Sequence, residues 1–242
     1  MKIAAVIPSR WQSCRFPGKP LARIAGKTMI ERVYRQAEKA GCFSEILVAT
    51  DDKRILAEVS AFGGKGEMTG REINSGTERV WSVIKKSNFD AVINIQGDEP
   101  LISEKLVLQV HRALNKKVFD VVSAARFNTS YREFCSKNVV KVVFNNAYQA
   151  LYFSRSPIPN CEKDRFDGFF QHIGIYGYTR AALESYMAGA VAPMEKSEKL
   201  EQLRFLHLEQ KIFIVQTEYE SHGVDVPADI KKVEAIIRRT RA

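Results

Sequence analysis

Apolar positions run along this chain in two alternating rhythms. "KIAAVIPS" (2–9) is a nearly unbroken apolar run and reads as a buried strand. "TMIERVYRQAEKAG" (28–41) instead places Met29, Ile30, Val33 and Ala37 on one helical face and closes at Gly41. The pattern then predicts a strand at "EILVATD" (45–51), a helix at "KRILAEVSAFGG" (53–64) and a second helix at "GTERVWSVIKKS" (76–87). A strand at "DAVINIQGD" (90–98) and a helix at "SEKLVLQVHRALNK" (103–116), capped by Ser103, complete the first half. Alternation of this kind predicts a parallel sheet covered by helices on both faces. Ligands of such sheets sit at the carboxyl ends of the strands. The loop after the first strand and the "QGDEP" turn are thereby placed at the functional edge.

The second half is richer in strands: "DVVSAARF" (120–127), "VVKVVFN" (139–145), "QALYFSRS" (149–156) and "HIGIYGYTR" (172–180). Helices are expected near 180–188 and 195–208, a strand at "KIFIVQTE" (211–218), and a closing helix from Pro227. No internal repeat, low-complexity tract or linker interrupts the chain. The expected fold class is α/β: a mixed, mostly parallel sheet flanked by helices, with a strand-rich insertion, in one domain over 1–242.

The 242 residues are 45% hydrophobic and 27% charged, as suits a globular protein with a sizeable core. Pro8 and Arg10 end the first apolar run too early for a signal peptide, and no apolar stretch reaches the length of a membrane span. Cys14, Cys42, Cys135 and Cys161 form no CxxC pair, so free thiols in a reducing cytoplasm are expected. A net charge of +9 admits nucleic acid, anionic lipid or a phosphorylated small molecule as partner. The basic tail "IKKVEAIIRRTRA" carries Val233, Ile236 and Ile237 at helical spacing, which favours an amphipathic last helix over a nucleic-acid arm.

The chemistry is narrower than the charge. "PSRWQSCRFPGKPL" (8–21) crowds Arg10, Arg15 and Lys19 into one proline-rich loop, an arrangement that a bound polyanion relieves. "AGKTM" imitates the end of a P-loop, but Leu21 stands where the earlier glycine belongs, so Gly26 and Lys27 read as a turn into a helix capped by Thr28. No GxGxxG occurs. Asp98 and Glu99 in "NIQGDEP", and Asp225 in "GVDVPADI", offer carboxylates for magnesium, with Asp229 read as a first-turn acid of the last helix. "NSGTER" (74–79) reads by itself as a helix start capped by Ser75, with Arg79 on the surface. His172 and Tyr176 in "HIGIYGY" suit a strand core.

Taken in order, "IPSRWQSCRFPGKPL", "VATDD", "NSGTERV", "NIQGDEP", "ALYFSRSPIP", "HIGIYGY", "LEQLR" and "GVDVPADI" resemble the sugar-acid cytidylyltransferases, and within them the 3-deoxy-manno-octulosonate cytidylyltransferase (CMP-Kdo synthetase) family. The resemblance runs from about residue 3 to residue 237. It implies a Rossmann-like nucleotidyltransferase fold, magnesium dependence, a homodimer, and coupling of CTP to Kdo, an eight-carbon acidic sugar, for lipopolysaccharide. It also implies a cytoplasmic enzyme whose small-molecule substrates leave no role for nucleic acid or membrane insertion. By motif, Arg10, Arg15 and Lys19 would hold the CTP phosphates, Ser75 and Arg79 would face the nucleotide, and Asp98 and Asp225 would hold magnesium. Gln96, Arg155, His172, Tyr176, Glu201 and Gln202 would line the sugar site, with Arg155 as partner of the sugar carboxylate.

Gln12, Cys14, Pro157 and Val226 depart from the family pattern. They leave open whether the sugar is Kdo, its 8-amino analogue or another ulosonic acid. Two rivals differ in class. Transfer to a sugar 1-phosphate calls for a glycine-rich loop where this chain has arginines. A nucleic-acid module is disfavoured by the acidic pair at the strand ends, which repels a polyanion in the absence of metal.

Overall fold

The computed structural model describes residues 1–12, 15–73 and 75–241; Cys14 and Asn74 lie outside them. The chain divides into two compact units, one of residues 1–108 and 221–242, the other of residues 109–220.

The first unit is built on a parallel sheet. Strand β1 (Ile3–Ser9) lies between β4 (Glu45–Thr50) and β6 (Ala91–Asn94), with Ala5 opposite both Ile46 and Ile93. A short β5 (Gly66–Met68) extends the parallel order beyond β4. Ile3, Ala4, Ala5, Val6 and Ile7 are buried, because a central parallel strand has both faces covered, and this explains the unbroken apolar run. Helices α1 (Met29–Lys39) and α3 (Gly76–Ile84) pack on β1, and α2 (Lys53–Ala61) packs on β4. Since β1, β4 and β6 run in the same direction, the loops that begin at Arg10, Asp51 and Ile95 leave the sheet at one edge.

Between β1 and α1 the chain makes a hairpin, β2 (Arg23–Ile24) and β3 (Lys27–Thr28). Its turn residues Ala25 and Gly26 both have positive φ, 44° and 85°, as a two-residue turn requires. Thr28 caps α1, as expected for a turn rather than a P-loop. The closing helix α9 (Pro227–Arg241) buries Val233 and Ile237 with Ile24, Met29 and Val224 and leaves Lys231, Lys232, Arg238 and Arg239 exposed. This is the amphipathic helix read from its apolar spacing.

Helix α4 (Glu104–Asn115) carries the chain into the second unit. There β7 (Val121–Asn128) pairs with β10 (Phe169–Thr179) antiparallel and with β11 (Ile212–Gln216) parallel. A hairpin of β8 (Lys141–Phe144) and β9 (Ala150–Ser154) joins β10 through β8. A single turn, α5 (Tyr131–Phe134), follows β7, and α6 (Arg180–Ala188) follows β10.

The helix expected near 195–208 is two helices, α7 (Pro193–Glu198) and α8 (Gln202–His207). Lys199 between them has a φ of 54°, left-handed backbone that ends a helix. The break has tertiary causes. Glu198 accepts from Ser154 Oγ at 2.6 Å and from the Arg155 N–H at 2.9 Å, while Glu195 and Arg204 join the two helices by a bidentate pair at 2.7 and 2.8 Å. Among the described residues, no helix is long and apolar enough to cross a membrane.

Candidate active site

In the first unit, the described part of the basic loop is tied across by a backbone hydrogen bond. Gly18, at φ 70°, donates its N–H to the Trp11 carbonyl at 3.1 Å, and Lys19 begins a 3-10 turn, Lys19–Leu21, with Pro20 buried. Positive φ favours glycine at this position, and a Cβ there would stand 2.9 Å from the Trp11 ring. Arg10 is exposed at the strand end.

Lys19 is the centre of the arrangement. Its Nζ donates to Asp98 Oδ2 at 2.6 Å and to the Val224 carbonyl at 2.9 Å, and lies 3.9 Å from Asp225 Oδ1. Arg15 Nη2 donates to the same Asp225 oxygen at 3.0 Å. Two carboxylates far apart in sequence, Asp98 and Asp225, therefore converge on the cations of the loop. The Asp98 carbonyl accepts from the Val224 N–H at 2.9 Å, which ties the "QGD" turn to the segment before α9. Asp229 accepts from the N–H groups of Asp225 and Val226, both at 3.1 Å, so it organises the helix start rather than facing the loop.

Gln96 lies half-buried at the start of the turn, where its carbonyl accepts from Glu99 N–H at 3.2 Å. Gly97 admits the close approach that follows. A Cβ on it would stand 2.7 Å from Ser9 Oγ and 2.8 Å from the Pro8 carbonyl, so a side chain would push Asp98 away from the end of β1. Nothing in the motif itself signals this role of Gly97, since both neighbours come from the end of β1.

Ser75 caps α3 by accepting from Glu78 N–H at 3.2 Å. Arg79, expected either on the surface or facing a nucleotide, is only 3% exposed. Its guanidinium donates to Thr69 Oγ1, to the Ile73 carbonyl at 2.7 Å and to Asp51 Oδ2 at 3.4 Å. Burial lowers its pKa against the opposing pull of Asp51. Arg79 thus holds the segment 69–73 from beneath. A cavity of about 490 Å3 borders Asp51, Arg54, Thr69 and Arg71. No motif pointed to Arg54 or Arg71, because both lie outside the quoted motifs and reach the cavity only through the fold.

In the second unit, His172 and Tyr176 project from β10 with ring centroids 5.3 Å apart, across an irregularity between Ile173 and Tyr176. Ser123 Oγ lies 2.8 Å from His172 Nε2 and donates to the Ile175 carbonyl at 2.8 Å. Since the serine has one proton to give, Nε2 carries the imidazole hydrogen and Nδ1 is left as an acceptor. Desolvation of the ring, enclosed by Phe153 and Tyr176, pushes its pKa down to about 3. Burial pushes the Tyr176 hydroxyl well above its ordinary pKa.

Glu201 precedes α8, and Gln202 is 4% exposed with its Nε2 lacking a partner among the described residues. The Tyr186 hydroxyl is buried and unpartnered in the same sense, a feature invisible in sequence. Arg155 lies after β9. Its Nε donates to the Glu198 carbonyl at 2.9 Å and its Nη1 to the Lys137 carbonyl at 3.0 Å, so part of the guanidinium is engaged by backbone. Lys141, fully buried, donates to the carbonyls of Ser136, Val139 and Arg155 at 2.8, 2.8 and 2.7 Å. Burial lowers its pKa. Its position in an apolar strand gives no sign of this role in sequence. Cys42, Cys135 and Cys161 are free thiols.

Among the described residues, no group of three or more His, Cys, Asp or Glu side chains is placed to hold a metal ion alone. Asp98 and Asp225 nonetheless fit a hard divalent cation: both already approach one ammonium nitrogen, and magnesium completes its shell with phosphate oxygens and water.

The family model described as "Cytidylyltransferase" matches residues 4–212. The 3-deoxy-manno-octulosonate cytidylyltransferase of Desulfosudis oleivorans is 45% identical over 243 residues, covering 98% of each chain. That of Geobacter metallireducens is 43% identical over 251 residues, covering 96% of each. A solved structure of CMP:2-keto-3-deoxy-manno-octonic acid synthetase complexed with CTP matches with a TM-score of 0.95 at 38% identity, over 99% of this chain and 100% of that one.

Proposed function

Because the chain belongs to the 3-deoxy-manno-octulosonate cytidylyltransferase family, we propose that it couples CTP to Kdo, giving CMP-Kdo for lipopolysaccharide and releasing pyrophosphate. The observation that carries this reading is the Lys19 ammonium between Asp98 and Asp225. Cations for a polyphosphate and carboxylates for a metal share one place at the carboxyl edge of the first unit's sheet.

Arg10, Arg15 and Lys19 receive the CTP phosphates and neutralise charge that grows on the departing pyrophosphate. Lys19 then exchanges Asp98 for phosphate oxygen, which frees that carboxylate. Asp98 and Asp225 are the proposed magnesium ligands. Bound there, magnesium would lower the proton affinity of the attacking hydroxyl and offset phosphate charge. The anomeric hydroxyl of Kdo attacks the α-phosphorus in line, with no covalent enzyme intermediate. Arg79 serves the nucleotide by fixing Thr69 and Ile73, and Ser75 by fixing the start of α3.

For the sugar we propose Gln96, Arg155, His172, Tyr176, Glu201 and Gln202. The neutral His172 offers Nδ1 to a sugar hydroxyl, Gln202 offers its unpartnered amide, and Arg155 offers its remaining donors to the carboxylate. The chain is read as a single cytoplasmic cytidylyltransferase acting as a homodimer. Phe127 and Tyr148 are exposed side chains of the second unit, on an aromatic set joined through Phe144 and Phe170, and with the exposed Leu151 suit a second copy.

The test is pyrophosphate release from CTP and magnesium with Kdo, with its 8-amino analogue and with sialic acid. Release that depends on Kdo supports the reading. Release with a relative alone keeps the chemistry and moves the substrate; silence with all three rejects it.

A further inference from the structure

The "VATDD" motif at the end of β4 has no part in the chemistry above, yet both of its acids reach the phosphate loop. Asp51, 9% exposed, accepts the Trp11 N–H on Oδ1 at 3.1 Å and meets Arg79 Nη2 with Oδ2 at 3.4 Å. One carboxylate thus joins the backbone of the basic loop to the guanidinium that holds Thr69 and Ile73.

Asp52 acts on the other side of the same residue. It accepts Arg54 Nε on Oδ1 at 2.9 Å and Arg54 Nη2 on Oδ2 at 2.7 Å, a fork that fixes the guanidinium plane. The Arg54 side-chain bond holds the Asp52 carboxyl at about 2. Arg54 then lies 3.3 Å from the centroid of the Trp11 ring. That ring meets Gly18, whose N–H returns to the Trp11 carbonyl at 3.1 Å. Trp11 is held by its backbone through Asp51 and by its ring through Asp52 and Arg54, and Gly18 immediately precedes Lys19.

We propose that Asp51, and Asp52 acting through Arg54, form a clamp on Trp11 that sets the shape of the phosphate loop before ligand arrives, making these acids positioning residues for polyphosphate binding. Preorganisation of this kind removes part of the ordering cost that a free loop would incur on binding. The proposal rests on the reading that this loop receives the CTP phosphates.

The chain has two tryptophans, Trp11 and Trp81, so a Trp81→Phe parent makes Trp11 emission the sole indole signal. In that parent, Asp51→Asn and Arg54→Met are measured in two ways. Acrylamide quenching of Trp11 without ligand reads the clamp, and the dissociation constant of inorganic tripolyphosphate, followed by the same emission, reads the loop. The expected result is a rise of about twofold in quenching and about tenfold in the dissociation constant for each variant. The KM for CTP should rise with it while the KM for Kdo stays unchanged.

Unchanged quenching in both variants overturns the clamp, and increased quenching with unchanged tripolyphosphate binding overturns its role in positioning. Arg54, largely exposed, keeps the test available if Asp51→Asn does not fold. A parent that binds tripolyphosphate but does not turn over CTP with Kdo sinks the proposed function and leaves the clamp to be decided by the two binding readouts.

Discussion

Lys19 Nζ lies 2.6 Å from Asp98 Oδ2, although 79 residues separate the two in sequence. A loop cation and a turn carboxylate thus hold each other where a metal–phosphate pair is proposed to lie. Asp98→Asn and Asp225→Asn should each lower kcat by about 100-fold or more. Thermal unfolding of Asp225→Asn should shift little, because the Arg15–Asp225 pair is exposed and such pairs add little stability. Near-normal turnover in both variants would remove them from the metal site.

Gly97→Ala separates geometry from chemistry, since it changes no polar group. Its methyl would meet Ser9 Oγ and the Pro8 carbonyl at 2.7 and 2.8 Å, so strand or turn must shift. A stability loss of about 1–3 kcal/mol is expected in urea unfolding, with a fall in kcat as Asp98 moves. Full activity would mean that the turn tolerates displacement.

Lys141→Met should destabilise the protein by about 2–4 kcal/mol, because the buried ammonium's three half-buried carbonyl acceptors lose their donor. The Arg155 carbonyl is one of the three, so the KM for Kdo should rise while that for CTP holds. Denaturant titration with substrate kinetics checks both. Unchanged stability would show that water replaces the ammonium.

His172 makes a pH prediction. Burial holds its pKa near 3 in the fold, against 6.5 as the ordinary value. Between those values the unfolded chain binds a proton that the folded chain does not. Stability contributed by the neutral ring is therefore complete above about pH 6.5 and falls as pH drops toward 3. A His172→Gln variant should show a flatter melting temperature over that interval. Equal slopes in the two proteins would deny the buried neutral state. The pH profile of kcat above 7 should carry no His172 step.

Much of the local structure was legible because its causes are local. The apolar run of β1, the capping serine of α3, the turn before Thr28 and the apolar stripe of α9 each depend on residues within a few positions. Arg79 was not legible. Its one-turn neighbours suggested a surface charge, whereas its partners Thr69, Ile73 and Asp51 are brought beneath it by the sheet. The break at Lys199 was hidden for the same reason, since 195–208 contains no glycine or proline to end a helix, while Glu198 turns to Ser154.

The sequence by itself determined the strand–helix alternation, the edge at which the loops gather and the residue types assembled there, because hydrophobic period and parallel connection dictate all three. Only the tertiary structure decided which charges meet: Lys19 with Asp98 and Asp225, Asp51 with Trp11 and Arg79, Lys141 with three carbonyls. Periodicity says which face a side chain takes. Partnership over many residues depends on distances of a few ångströms, and these exist only once the chain has closed on itself.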